Sequence, residues 1–259
     1  MDLKDKVIVI TGGASGIGAA LCRRCAQDAP KGITVADLNI EDAQKVADEI
    51  GGLAVAADVA KEEDVQRIVS ETEAKFGPID IFVSNAGIGY PDNGMATGAS
   101  NEQWQHIWDV NLMAHVYAAR AVMPGMIERG GGYLVNTASA AGLLSQIGSA
   151  TYAVTKHAAV AFAESLAITH GDDGIKVSVL CPQAVQTPML GTSKTNVASV
   201  DGVIEPEEAA ECVVNAIHEE RFLILTHPEV LTYMQRKSGD YDRWLKGMRR
   251  FRQSFIQAQ

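Results

Sequence analysis

The chain has 259 residues, 47% of them hydrophobic, which suits one large α/β domain with a continuous core. A formal net charge of −10 repels phosphate backbones and sets nucleic acid aside as a partner. No run of about 18 apolar residues that could span a bilayer occurs. The segment Met1 to Lys6 carries neither the apolar stretch of a signal peptide nor the Arg-rich face of a transit sequence, so a cytoplasmic protein without membrane contact is expected.

In chain order, short β-branched apolar runs alternate with longer stretches of helical period. Strands are predicted at 7–11, 33–37, 54–58, 79–84, 133–137, 177–181 and 222–225, and helices at 18–28, 40–50, 61–76, 101–129, 151–170 and 207–219. Seven strands with helices between them make one doubly wound parallel sheet with helices on both faces, a Rossmann-like α/β fold. Asn39 ahead of Glu41 and Asp42, and Ser100 ahead of Glu102, are the expected helix caps. Cys22 and Cys25 lack the second pair a structural zinc site needs, and the inner face of a helix suits them as small buried hydrophobes. No linker or repeat divides residues 1–230, which read as one catalytic domain; residues 231–259 read as an amphipathic helical tail. Segments 87–98 and 190–205 are loops that follow strands, at the sheet edge where such folds bind ligands.

The first strand runs into Thr11-Gly12-Gly13-Ala14-Ser15-Gly16-Ile17-Gly18 and then a helix. Glycines there let backbone approach a pyrophosphate at a helix N-terminus, although the spacing Gly-x-x-x-Gly-x-Gly also occurs in ordinary tight turns. The next strand ends in Asp37, roughly 20 residues on, where a carboxylate accepts both hydroxyls of an adenosine ribose and repels a 2′-phosphate. Neither Ser15 nor Leu38, beside Gly16 and Asp37, supplies the cation that NADP needs, so NAD is the expected cofactor. Asp37 is alternatively a cap for the helix that begins at Ile40.

With Asp58-Val59, Asn85-Ala86-Gly87, Asn111, Ser139, Tyr152, Lys156 and Pro182 to Thr187 in order, residues 5 to 225 resemble the short-chain dehydrogenase/reductase family. The resemblance implies that Asp58 contacts adenine with Val59 flanking it, and that Asn85, Ala86 and Gly87 support the sheet beside the cofactor. It also implies that Thr187, with Pro182 ahead of it, contacts the nicotinamide carboxamide.

Tyr152 and Lys156 are four apart in a helical segment, so both rise from one helix face. A phenol with an unperturbed pKa of about 10 is a weak base at neutral pH, and the Lys156 charge favours its phenolate. By itself such a pair also fits a surface helix. Ser139, thirteen residues earlier and just past a strand end, offers a hydroxyl to the substrate oxygen and matches the family's catalytic spacing. The resemblance implies that Lys156 also holds the nicotinamide ribose and that Asn111 keeps a water beside it. Alcohol oxidation then has Tyr152 removing the hydroxyl proton while a hydride leaves the carbinol carbon, and ketone reduction runs the reverse path.

Two departures from the family stand out. Gln183 follows Pro182 where glycine is usual, and either reaches into the substrate pocket or faces solvent. The C-terminus continues in a basic, aromatic tail whose Trp244, Met248, Phe251 and Phe255 form one helix stripe. That stripe packs on its own chain or a sister subunit, lies on a membrane surface, or covers the active site. Substrate contacts are expected from Ser139, Ala141, Leu143, Leu144, Ile147, Gln183, Met189 and Leu190, a mostly apolar set that suits a hydrophobic secondary alcohol or ketone. A homodimer or homotetramer is expected from the resemblance. The alternative is a non-catalytic NAD-binding regulator of the same fold, which the intact Asn111, Ser139, Tyr152 and Lys156 disfavour. No Gly-x-Ser-x-Gly hydrolase elbow or His-Glu-x-x-His metal motif occurs.

Overall fold

Stretches rich in Val and Ile become strands buried on both faces, as a sheet sandwiched between helix layers requires. The computed structural model describes residues 1–191 and 197–257. Its elements run β1 (Val7–Thr11), α1 (Gly16–Ala26), β2 (Gly32–Asp37), α2 (Ile40–Ile50), β3 (Leu53–Ala56), α3 (Glu62–Phe76), β4 (Ile81–Ser84), α4 (Asn101–Trp108) and α5 (Ala114–Glu128). They continue β5 (Gly132–Thr137), α6 (Ala150–His170), β6 (Ile175–Cys181), α7 (Pro206–Glu219), β7 (Leu223–Leu225), α8 (Glu229–Gly239) and α9 (Tyr241–Gln257).

The strands form one all-parallel sheet in the order β3-β2-β1-β4-β5-β6-β7. β1 pairs with β2 from Val7 opposite Gly32 to Thr11 opposite Ala36, and on its other side with β4. Because winding reverses between β1 and β4, their C-terminal ends part and leave a crevice. One face of the sheet packs against α1, α2 and α7 through Leu21, Val46 and Val213, the other against α3, α5 and α6 through Ile68, Val122 and Ala159. Burying each such Val, Leu or Ile contributes about 1.5–3 kcal/mol. A helix cap contributes about 1 kcal/mol. The sheet faces therefore decide the architecture and the caps trim its edges. Asn39 caps α2 by accepting from the Asp42 amide, and Ser100 with Gln103 closes a reciprocal capping box on α4.

Three expectations change. The strand predicted over 54–58 stops at Ala56, because the Asp58 amide turns to the Asp64 carboxylate at 2.8 Å instead of a neighbouring strand. The helix predicted over 101–129 is broken by a π-turn at Asp109–Met113, a widening that re-aims backbone groups around Asn111. The tail is two helices separated at Asp240, whose extended backbone stops α8 and whose side chain accepts from the Arg243 amide. Trp244, Met248, Phe251 and Phe255 are half-buried, and Arg252 reaches the Gly94 carbonyl at 3.1 Å. The loop predicted over 190–205 contains a short 3₁₀ turn, Val197–Asp201, while its residues 192–196 lie outside the described residues. No helix among the described residues is long and apolar enough to cross a membrane.

Candidate active site

A cleft of about 720 Å³ opens at the C-terminal ends of the strands. At one end, Gly12 turns off β1 with φ +64°, and Gly18 lies so close beneath it that a Cβ there would sit 2.0 Å from the Gly12 carbonyl oxygen. Only glycine permits that contact, which folds the loop back under the start of α1. The Ser15 side chain does not cap α1, so first-turn N–H groups remain as donors where Ser15, Gly16 and Ile17 line the cleft. This arrangement fits the pyrophosphate of a dinucleotide. Asp37 lines the same end and is pinned there: one carboxylate oxygen accepts from the Ala14 amide and the other from the Asn39 amide, each at 3.0 Å. Because Asn39 is the cap of α2, Asp37 is not. Leu38, 76% exposed, and Asp58 with Val59 border the same stretch.

Asn85 ties three strand ends together. Its side chain donates to the Thr11 carbonyl at 3.1 Å and accepts from the Thr137 hydroxyl at 3.3 Å, so β1, β4 and β5 are fixed in register beneath Ala86 and Gly87, which line the cleft. Pro182 and Thr187 border it from the far side.

At the other end Ser139 follows β5, and Tyr152 and Lys156 rise from one face of α6. All three line the cleft. The Ser139 hydroxyl is held by the Pro182 carbonyl at 3.4 Å and the Ala141 amide at 3.1 Å. The Lys156 ammonium donates to the Thr137 carbonyl at 2.9 Å and stands 5.6 Å from the centre of the Tyr152 ring. Burial pushes the Tyr152 phenol up from its usual range, and the Ser139 hydroxyl pulls the other way. Burial brings Lys156 down to about 8. Proton gain and loss at both groups therefore depend on what enters the cleft. Cys181, beneath them, is pushed up to about 12 by burial and stays a thiol.

The model of the short chain dehydrogenase family matches residues 6–198. The chain belongs to the short-chain dehydrogenase family. It is 35% identical over 236 residues to 1-deoxy-11-beta-hydroxypentalenate dehydrogenase of Streptomyces exfoliatus, spanning 88% of this chain and 86% of that one. It is 34% identical over 218 residues to cyclohexanol dehydrogenase of an Acinetobacter species, spanning 81% and 86%. Among solved structures, a short-chain dehydrogenase/reductase of Burkholderia phymatum in complex with NAD superposes with a TM-score of 0.84 at 27% identity, covering 93% of this chain and 96% of that one. As a short-chain dehydrogenase the protein is an oxidoreductase that works on CH–OH groups with a nicotinamide cofactor.

Not every predicted residue of this dehydrogenase reaches the cleft. Asn111 is fully buried behind it and its side chain is spent on protein: it accepts from the Ile88 amide and donates to the Ile88 carbonyl, each at 2.9 Å, and donates to the Thr155 hydroxyl at 3.2 Å. Ser139, Gln183, Met189, Ile147 and Leu190 line the cleft. Ala141, Leu143 and Leu144 do not: Ala141 is buried in the turn after Ser139, and Leu143 packs into the core.

His115 was not expected at the site. It is 1% exposed, and neither ring nitrogen has a hydrogen-bond partner; the nearby Asn136 side-chain amide is also buried without an acceptor. Burial, then the Lys156 charge, draws His115 down to about 3, while Asn136 and the Asn111 main chain favour protonation. Between about pH 6.5 and 3 the unfolded histidine holds a proton that the folded one does not, so acidification through that window costs stability. The expected contribution is about 1.4 kcal/mol per pH unit. Urea unfolding between pH 6 and 5 reads it: His115→Leu flattens the slope by that amount, whereas an unchanged slope means that His115 protonates inside the fold.

Proposed function

We propose that this short-chain dehydrogenase interconverts a hydrophobic, cyclic secondary alcohol and its ketone with NAD as hydride carrier. One observation carries the reading: Ser139, Tyr152 and Lys156 line the same cleft as the glycine turn and Asp37. The glycine turn and the start of α1 hold the pyrophosphate, Asp37 the adenosine ribose, and Lys156 the nicotinamide ribose. When bound, the nicotinamide ring supplies the hydride acceptor. Ser139 orients the alcohol oxygen and Tyr152 takes its proton, with Lys156 favouring the phenolate; in the reducing direction Tyr152 returns that proton to the forming alkoxide.

The substrate end supports an apolar ligand. Around Ser139 and Tyr152 the lining is Ile147, Met189 and Leu190, and the charged side chains lining the cleft among the described residues are Asp37, Asp58 and Lys156. None of these is a free cation for an acidic substrate. Relatives named for hydroxypentalenate and cyclohexanol agree with a compact alicyclic alcohol. The test is a panel of cyclic and linear secondary alcohols, a sugar alcohol and a hydroxy acid, each with NAD or NADP, followed by the absorbance of reduced nicotinamide. Turnover is expected first with cyclic alcohols and NAD. Preference for the sugar alcohol or hydroxy acid would overturn the substrate class.

A further inference from the structure

We propose that α8 sets the width of the substrate entrance: Tyr233 and Lys237, one helical turn apart, pin the two loops that flank it. This rests on the cleft being the substrate site as read above.

The first pin runs through Asp201. The Tyr233 hydroxyl donates to one oxygen of the Asp201 carboxylate at 2.9 Å, and the Gln183 amide donates to the other at 2.8 Å. A carboxylate only accepts, so the Gln183 amide nitrogen must face it. Gln183 thus turns its amide nitrogen to the 3₁₀ turn Val197–Asp201, whose Ala198 lines the cleft beside it, while its Oε1 is buried without a hydrogen-bond partner. Gln183 follows Pro182, whose carbonyl accepts from the Ser139 hydroxyl and from the Ala140 amide at 2.8 Å. A displacement of Asp201 is therefore felt next to Ser139.

The second pin crosses to the opposite wall. The Lys237 ammonium donates to the Leu143 and Leu144 carbonyls, each at 2.8 Å, at the head of the loop that brings Gln146 and Ile147 to the cleft. It also lies 3.4 Å from His157 Nε2 on α6 and 5.7 Å from the centre of the Tyr241 ring. His157 Nδ1 bonds the Ala153 carbonyl, which leaves Nε2 as an acceptor for the lysine. The sequence expectation of Leu143 and Leu144 as side-chain contacts thus gives way to their carbonyls as anchor points.

These contacts are more than incidental surface bonds because of how little else holds the helix. Val230 is the one fully buried side chain of α8, so apolar docking is slight and polar contacts carry its placement. Hydrogen bonds to charged groups are the strong kind, and both pins use them. A strut fixed at two points holds both loops at a set distance, and the size of alcohol admitted follows from that distance.

Hydrogen-exchange mass spectrometry of the full chain, with no turnover required, tests the strut. Tyr233→Phe is expected to speed exchange in 197–205, and Lys237→Met in 143–149, with the 12–18 turn unchanged and NAD affinity retained. In turnover, each variant is expected to raise KM for cyclohexanol about fivefold, with kcat within about twofold. Discrimination against a bulkier bicyclic alcohol falls, Lys237→Arg restores it, and Thr232→Ala on the exposed side of α8 does nothing. Uniformly faster exchange along the chain, or loops that stay protected in both variants, would overturn the proposal. Failure of wild type to oxidise any alcohol would instead remove the functional reading and leave the exchange result to decide the strut.

Discussion

Tyr152→Phe is expected to lower kcat for alcohol oxidation about 10³-fold while leaving NAD affinity within about twofold. The substitution removes one oxygen from a side chain that α6 holds in place, so the cleft, Ser139 and the Lys156 bond to Thr137 persist. What disappears is the hydroxyl that we propose takes the substrate proton next to Ser139. The same phenol is expected to set the pH dependence. Oxidation needs Tyr152 deprotonated, so kcat/KM for oxidation rises as pH climbs through the apparent pKa of the Tyr152–Lys156 pair, and that for reduction falls. A Tyr152→Phe enzyme that retains more than about a tenth of wild-type kcat would show that another group moves the proton.

The second large effect is at Asp37. Wild type is expected to bind NADP about 100-fold more weakly than NAD, because a 2′-phosphate would meet a carboxylate already held by the Ala14 and Asn39 amides and unable to swing away. Asp37→Ser with Leu38→Arg removes that repulsion and adds a guanidinium suited to phosphate. Leu38 is exposed at the cleft rim, so the arginine displaces nothing from the core. The preference is expected to reverse, a swing of about 10³-fold or more in the ratio of dissociation constants. Titration of both proteins with both nucleotides measures it without turnover. Equal binding of NAD and NADP by wild type would remove Asp37 from the selecting role.

The sheet was legible because its central strands are buried on both faces and read as short apolar runs rich in Val, Ile and Leu, with turn residues between them. The glycine turn, Asp37, Ser139, Tyr152 and Lys156 were legible for a related reason. Each belongs to a fixed place at a strand end or a helix face, and sequence spacing reports such places directly. What escaped depends on contacts between distant segments. The π-turn at Asn111 leaves no gap in the helical period of 101–129, since apolar residues continue on both sides of it. His115 sits in that same stretch, and nothing in the chain's order says that Lys156 and Asn136 lie beside it. Spacing from Ser139 does not show that Leu143 and Leu144 lie off the cleft, because the 3₁₀ turn Ala140–Gly142 carries the chain into the core before it returns at Gln146. Nothing near Gln183 in the sequence points to Asp201, eighteen residues on, which its amide nitrogen meets.

In the proposed reaction this cleft moves a hydride between a carbinol carbon and a nicotinamide ring. The most direct measurement uses cyclohexanol deuterated at the carbinol carbon, with NAD, followed by mass spectrometry of the nucleotide. One deuterium in each NADH formed and a primary isotope effect on kcat/KM are expected, with Tyr152→Phe slowing the transfer of label about 10³-fold. Ketone formed with no deuterium in the nucleotide would contradict that reaction.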